Sequence, residues 1–146
     1  MDTKHLKKML DTCFLAKKVI ETLPELPKGM KPRHIHVLEA IYEITCEQGY
    51  CTVSHIRNRM QITMPSISKL IQELEVLHMI EKEVDREDRR FYQLRLTQAG
   101  RGCVKKHVLD FHKEWAMRLA HIENQQVEEA VNLFLELKNT MPGGEI

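Results

Sequence analysis

The side chains best suited to chemistry lie between positions 63 and 72, where polar and apolar residues alternate at helical spacing. If the apolar stripe faces a core, a rotation of 100° per residue places four residues on the opposite face: Pro65, Ser68, Lys69 and Gln72. Glutamine pairs with adenine edges, lysine with guanine or phosphate, and serine with either. This face therefore predicts a helix that enters the major groove of DNA, although an ordinary solvated face could have the same composition.

The start of this helix is a second candidate contact. Thr63 is a typical N-cap residue, and Met64 and Ser66 follow it in the first turn. The backbone N–H groups of a first turn have no partner within the helix and suit a phosphate. We therefore expect Thr63, Met64 and Ser66 near the DNA backbone.

A third cluster is the charged run at positions 85–90. It holds Arg86, Arg89 and Arg90 among three acidic residues. Arginines at a hairpin tip can enter the minor groove, where narrow A·T tracts deepen the negative potential. The alternative is a soluble turn whose charges neutralise one another.

The elements that would position these residues follow from periodicity. Thr52 caps a short helix with Val53, Ile56 and Met60, and a turn at 61–62 leads to the candidate recognition helix. Positions 81–84 and 91–96 alternate as strands of a hairpin around the charged run. The fold class is mainly α with a small β-hairpin wing, a winged helix-turn-helix.

Longer helices flank this core. The sequence predicts one helix at about 4–23 and a second from Pro32 to Gly49. Thr97 caps a long fifth helix, and a sixth runs through 127–141. We expect three regions: N-terminal dimerisation and support helices at 1–50, a DNA-binding core at 51–97, and C-terminal dimerisation helices at 98–146.

The run from Thr52 to Gly100 resembles the DNA-binding core of the MarR family of bacterial regulators. The resemblance rests on the helix-turn-helix, on Asp88-Arg89-Arg90 at the wing tip, and on Leu-Thr-x-x-Gly at 96–100. The flanking helices match the family's layout in pattern. A departure is His78, which stands where members usually have glycine near the end of the recognition helix and which must then tolerate a left-handed backbone.

The resemblance implies a role for each wing residue. Arg90 would enter the minor groove, Arg89 would contact the backbone, and Asp88 would orient an arginine. It also implies a homodimeric repressor that binds a pseudo-palindromic duplex site, in which a small aromatic ligand alters the spacing of the two DNA-binding heads. Some relatives sense peroxide through a cysteine in the first helix, the position of Cys13 here, although a lone buried cysteine is more often inert packing.

Composition and motifs narrow the functional classes to which the protein can belong. The formal charge is only +1, so a case for DNA rests on local placement of basic residues. The sequence contains no enzyme motif, no apolar run that could span a membrane, and no paired CxxC. The histidine pairs lack zinc-binding spacing, so we expect no metal and no cofactor. We expect a non-enzymatic cytoplasmic protein, with two alternatives: a thiol- or metal-based sensor, and a winged-helix module that binds protein.

Overall fold

A computed structural model describes residues 1–21, 24–84, 86–88 and 91–141 of this chain. Its helices and strands, in chain order, are α1 (Thr3–Glu21), α2 (Pro32–Gln48), α3 (Val53–Met60), α4 (Met64–Val76), β1 (Ile80–Val84), β2 (Tyr92–Leu96), α5 (Gln98–Val104), a π-helical segment (Lys105–Asp110), α6 (Phe111–Arg118) and α7 (Asn124–Thr140). Two compact units, 1–110 and 111–146, hold these elements. The expected fold class, mainly helical with a two-stranded wing, is confirmed.

Helix α2 begins and ends where its sequence indicates. Pro32 occupies the first turn, where its missing N–H is not needed. Gly49 ends the helix with a positive φ of 86°, a left-handed conformation that glycine adopts without strain. One face of α2 is buried and packs against α3, α4, α5 and β2, so α2 forms the central support of the first unit.

The helix-turn-helix has the predicted boundaries. Thr52 caps α3 by accepting a hydrogen bond from the backbone N–H of His55. Gln61 then adopts a left-handed φ of 51°, and this reverses the chain before α4. Thr63 is the N-cap residue of α4, but its hydroxyl donates to Ser66 Oγ at 2.9 Å instead of accepting from a backbone N–H.

The apolar stripe of α4 enters the core as predicted. Its four buried members are Ile67, Leu70, Ile71 and Leu74. They join a single cluster that also contains the buried face of α2, Ile56 of α3 and Leu94 of β2. Burial of this stripe fixes the rotation of α4 about its axis, and the opposite face is thereby exposed to solvent.

The segment Leu-Thr-x-x-Gly joins the start of α5 to the turn after α4. Thr97 Oγ1 accepts from the N–H of Gly100 at 3.0 Å and donates to the carbonyl of His78 at 2.7 Å. The N–H of Thr97 donates to the carbonyl of Met79. Gly100 packs so tightly that an added Cβ would lie 2.0 Å from the Met79 oxygen. His78 has a φ of 56°, as its replacement of the family's glycine predicts.

The two wing strands pair antiparallel, with Ile80 opposite Leu96 and Val84 opposite Tyr92. These bounds differ by one residue from the expected 81–84 and 91–96. The N–H of Leu94 donates to the carbonyl of Cys51, which ties the wing to the segment before α3.

The long fifth helix predicted after Thr97 is divided in the structure. A short α-helix, α5, is followed by the π-helical segment and then by α6. Periodicity alone did not reveal the change, because its apolar positions recur every three or four residues throughout. Cys103, Val104, His107 and Val108 are buried in the first unit.

The second unit holds α6 and α7, and neither helix buries a side chain within the chain. Apart from Phe111 and Leu137, its large apolar residues are between 40% and 70% exposed. Within the first unit, Phe14, Leu15 and Val19 on α1 are 60–72% exposed. No helix in the described ranges has the length and apolar character that a membrane crossing requires.

Candidate nucleic-acid interface

Helix α4 presents the predicted polar face outward. Pro65, Ser68, Lys69 and Gln72 are all exposed, and the Lys69 side chain retains 75% of its accessible surface. The buried stripe on the other side of α4 makes this orientation obligatory. A donor-rich face of this kind can place serine, lysine and glutamine against base edges or phosphates.

The first turn of α4 is also accessible. Thr63 and Met64 are exposed and Ser66 is half-buried. Pro65 lies in the first turn and supplies no N–H, so any phosphate bound there would use the remaining amides and the Thr63 and Ser66 hydroxyls.

A buried histidine anchors the recognition helix to α2. His34 is 1% exposed, and its Nδ1 accepts a hydrogen bond from the N–H of Lys31 at 2.9 Å. Because Nδ1 is an acceptor, a neutral ring carries its proton on Nε2, which donates to Glu73 Oε2 at 2.7 Å. This hydrogen bond, more than any other interaction, holds the pKa of the Glu73 carboxyl below its usual range.

Glu73 also connects this anchor to a candidate DNA contact. Its other oxygen lies 4.0 Å from Lys69 Nζ, one helical turn earlier. The Lys69 ammonium is mostly exposed, so the pairing is weak and leaves the charge available to a phosphate. The sequence analysis did not identify His34 or Glu73; a polar residue at position 34, within the apolar face of α2, was the available signal.

The described part of the wing tip consists of residues 86–88. Arg86 is exposed, and the carbonyl of Asp88 accepts from the N–H of Phe91 at 3.1 Å. Arg89 and Arg90 lie outside the described residues, so their assigned roles, and the orienting role of Asp88, stay predictions.

A groove of about 360 Å³ separates the recognition helix from the wing. Among its lining residues are Met64 and Ser68 of α4, Ser54 of α3, Lys82 of β1 and Phe91. Lys82 Nζ lies 2.8 Å from a Glu75 oxygen and 5.9 Å from the centre of the Tyr92 ring. Sequence reasoning missed Ser54, Lys82 and Phe91, because it looked for DNA contacts only on α4 and at the wing tip.

The four cysteines differ in burial. Cys13, the candidate redox residue, is free and half-buried on α1. Burial raises the pKa of the Cys51 thiol to about 12 and also raises that of Cys103. Thiols in this state remain protonated at neutral pH and are poor nucleophiles.

One further histidine is buried away from the interface. His107 lies on the π-helical segment and is 6% exposed, and its Nδ1 has no hydrogen-bond partner among the described residues. Burial, and then the neighbouring charge of Lys106, lowers the pKa of this imidazole.

The chain is similar in sequence to one protein family and in fold to several solved structures. The sequence model of the MarR family matches residues 28–90. No curated protein matches the sequence. Among solved structures, Streptococcus pneumoniae FabT in complex with DNA is 20% identical to this chain and has a TM-score of 0.72. The match covers 96% of this chain and 100% of the FabT chain.

Two further structures have the same fold. The S. aureus MepR–DNA complex is 21% identical over 97% of this chain and 99% of its own, with a TM-score of 0.64. Bordetella bronchiseptica BpsR, whose DNA binding is regulated by 6-hydroxynicotinic acid, is 17% identical over 91% of this chain and 98% of its own, also with a TM-score of 0.64. At these identities the likeness establishes the fold. The match to the MarR family model extends over residues 28–90, which hold the helix-turn-helix and the first wing strand.

Proposed function

We propose that this protein is a transcription regulator that binds a pseudo-palindromic duplex DNA site as a homodimer and responds to a small ligand. The observation that carries the proposal is the exposed face of α4 formed by Ser68, Lys69 and Gln72, which lies beside a groove bordered by the wing. A buried stripe fixes this face outward, and an accessible first turn precedes it. These are the parts that a helix needs to enter the major groove.

The contacts divide by type. Gln72 and Ser68 contact base edges, Lys69 contacts guanine or phosphate, and Thr63, Met64, Pro65 and Ser66 lie along the backbone. Arg86, Arg89 and Arg90 form the wing contacts, Asp88 orients an arginine, and Lys82 adds a positive charge inside the groove. Phosphate contacts set the register and base contacts set the sequence.

The homodimer is supported by the exposed apolar helices. Helix α7 buries no side chain within the chain, yet Val127, Val131 and Phe134 recur along it at helical spacing with exposures of 45–49%. A second copy of this chain would cover these residues and, separately, those of α1, because a monomer rarely leaves such apolar helix faces in water. We assign dimerisation to 1–50 and 98–146 and DNA contact to 51–97, with α2 supporting the latter.

The ligand is an aromatic acid or phenol. BpsR, which shares the fold, has its DNA binding regulated by 6-hydroxynicotinic acid, and that compound and related aromatic acids are the first to test here. We assign no enzymatic activity to the chain and place it in the cytoplasm, where duplex DNA and free thiols coexist.

The test is a binding selection from random duplex oligonucleotides with the full-length protein. We expect a two-fold related consensus with half-sites about 34 Å apart, bound by two chains. The affinity should fall steeply as salt rises, since phosphate contacts release counterions. Recovery of no consensus, together with salt-independent retention of DNA, would favour the protein-binding alternative. Addition of 6-hydroxynicotinate and other aromatic acids to the selected complex then tests ligand response.

A further inference from the structure

A cavity of about 350 Å³ lies in the first unit, between the C-terminal end of α2 and strand β2 of the wing. Tyr42, Cys46 and Tyr50 line it on the side of α2, and Leu94 and Leu96 line it on the side of β2. Among the described residues, it shares no lining residue with the groove between α4 and the wing. We call it the α2–β2 cavity. Its volume is at the lower end of the range for small-molecule sites, about 300–1,000 Å³.

Much of the wall of the α2–β2 cavity is apolar or aromatic. Leu94 is 1% exposed, and Tyr42 and Leu96 are half-buried. The Tyr50 ring makes an edge contact with the ring of His55, with centroids 5.4 Å apart, and this contact restricts its rotation. Two tyrosines and two leucines around one small cavity favour a planar, apolar ring as the occupant.

Arg101 of α5 adds a positive charge to this wall. Its Nη1 donates to the carbonyl of Leu96 at 2.8 Å, and this hydrogen bond holds the guanidinium beside β2. The carbonyl is neutral, and none of the described lining residues is acidic, so the wall itself does not neutralise Arg101. The other arginine of the wall, Arg95, is already paired, with its Nε 2.8 Å from Glu83 Oε2. Because a guanidinium carries five N–H donors, Arg101 retains donors for the two oxygens of a carboxylate.

We propose that the α2–β2 cavity binds a small aromatic carboxylate, with its ring against the tyrosines and its carboxylate on Arg101. An inorganic anion would leave the apolar wall in contact with water, and a neutral ring would leave the charge of Arg101 without a partner. The proposal gives the ligand of the proposed function a site and an anchoring residue, and it rests on that function only for its effect on DNA.

The cavity borders the hydrogen bond that ties the wing to the segment before α3. The N–H of Leu94 donates to the carbonyl of Cys51 at 2.8 Å. Leu94 lines the cavity, and so does Tyr50, which is next to Cys51 in the chain. A ring placed between Tyr50 and β2 therefore acts on both partners of this hydrogen bond. We expect ligand binding to shift the wing relative to α3 and to change operator affinity.

The first experiment is calorimetric titration of the full-length protein with benzoate and 2-naphthoate. The corresponding amides are the uncharged controls, since they have nearly the same shape. We expect one equivalent of acid to bind per chain and the amides to bind about tenfold more weakly or not at all, because the charge-assisted hydrogen bond to Arg101 is lost. Failure of both acids to bind, or equal affinity for acids and amides, would overturn the proposal.

Arg101→Gln tests the anchoring residue. Glutamine removes the charge but keeps an N–H donor for the Leu96 carbonyl, so the variant should fold, as checked by circular dichroism and urea unfolding. Its affinity for 2-naphthoate should fall about tenfold or more. Arg33→Gln, which removes the same charge from the exposed first turn of α2, should bind 2-naphthoate as wild type does. Equal affinity of Arg101→Gln and wild type would remove Arg101 from the site.

Cys46 reports whether the ligand occupies this cavity. In a Cys13→Ser protein, Cys46 is the exposed thiol, because Cys51 and Cys103 are buried. Saturating 2-naphthoate should slow the reaction of Cys46 with a maleimide, and Cys46→Trp, whose indole would fill the cavity, should abolish binding. His36→Trp places the same ring at an exposed position of α2 outside the cavity and should bind normally. Binding of 2-naphthoate without protection of Cys46, and unaffected by Cys46→Trp, would show that the ligand binds elsewhere.

The DNA measurement is separate. Operator affinity is compared with and without 2-naphthoate in wild type and in Arg101→Gln. A change of threefold or more in wild type alone supports the connection between the cavity and the wing. Ligand binding in the cavity with no change in operator affinity would contradict that connection. The absence of any operator would count against the proposed function only, since the titrations and the labelling of Cys46 need no DNA.

Discussion

At the scale of single residues, Lys69 and Gln72 lie on the same exposed face of α4 but should contribute differently. Gln72 has an amide that can pair with an adenine edge, so Gln72→Ala should relax preference at one base position and cost about 1–3 kcal/mol on the preferred site. Lys69 carries a flexible point charge. Lys69→Ala should weaken binding to all sequences and reduce the salt slope by about one.

The two variants serve as controls for each other. Specificity profiles from a randomised operator library, measured at several salt concentrations, separate loss of base contact from loss of phosphate contact. Identical profiles for wild type and Gln72→Ala would remove glutamine from base recognition.

Arg90, at the wing tip, is the second residue to test. Arg90→Ala should lower specific affinity by about 1–3 kcal/mol, as expected for a lost groove contact. Thermal stability should change little, because a hairpin tip buries little surface. Arg95→Ala is a suitable control, since Arg95 pairs with Glu83 across the strands at 2.8 Å and is not assigned to DNA. Equal operator affinity of wild type and Arg90→Ala would refute the minor-groove role.

At the scale of elements, the contact between α5 and the turn after α4 predicts opposite effects at two glycines of one helix. A Cβ at Gly100 would lie 2.0 Å from the Met79 carbonyl oxygen, whereas a Cβ at Gly102 would meet nothing within 4 Å. Gly100→Ala should cost at least about 2 kcal/mol of unfolding free energy through overpacking. Gly102→Ala should stabilise by about 0.5–1 kcal/mol, since alanine favours helix.

Urea unfolding of the two variants measures both effects. A Gly100→Ala protein as stable as wild type would show that the turn after α4 can move away from α5 at little cost. It would also weaken the argument that this contact fixes the end of the recognition helix.

The His34–Glu73 hydrogen bond between α2 and α4 predicts that the stability of the fold depends on pH. His34 lowers the pKa of the Glu73 carboxyl below its ordinary value of 4.5, and Lys69 and Lys31 reinforce this more weakly. A carboxyl whose pKa is lower in the folded state stabilises the fold above about pH 4.5 and loses that contribution as pH falls through the lowered value. Glu73→Gln should therefore be less stable than wild type near neutral pH, and the difference should shrink in acid.

The measurement is the urea midpoint of both proteins at about pH 7 and at steps below about pH 4.5. Glu128→Gln, on the exposed surface of α7, is the control for removal of a charge as such. If the difference in urea midpoint between wild type and Glu73→Gln is constant across pH, the shape of the Glu73 side chain, and not its charge, contributes to stability.

At the scale of the whole molecule, we expect operator binding to depend on dimerisation. Phe134 of α7 is 45% exposed in one chain, and we expect the partner chain to cover it in an interface above about 2,000 Å². Phe134→Asp should dissociate the dimer, lower solubility and weaken operator binding together. Asn132→Asp places the same charge about 200° around α7 and should be tolerated. Light scattering and operator titration at micromolar protein are the measurements, and a folded wild-type monomer with tight operator binding would contradict the dimer.

The sequence by itself determined the elements and their exposed faces. The stripe Ile67, Leu70, Ile71 and Leu74 predicted both the core side of α4 and, by rotation, its polar side. The helix ends at Gly49, Thr52 and Thr97 were predicted correctly, because N-caps and left-handed glycines depend on residues only a few positions apart. The left-handed backbone at His78 followed from the family resemblance, because members usually have glycine at this position.

Only the tertiary structure decided what depends on contacts between distant residues. The His34–Glu73 hydrogen bond joins positions 39 residues apart, and the Met30–Cys103 contact joins positions 73 apart. Neither spacing carries a local signal, because side-chain pairing across elements depends on how those elements pack. The π-helical segment escaped prediction for a related reason: its buried positions recur much as they would in an α-helix, so hydrophobic periodicity cannot distinguish the two, whereas the backbone hydrogen bonds can.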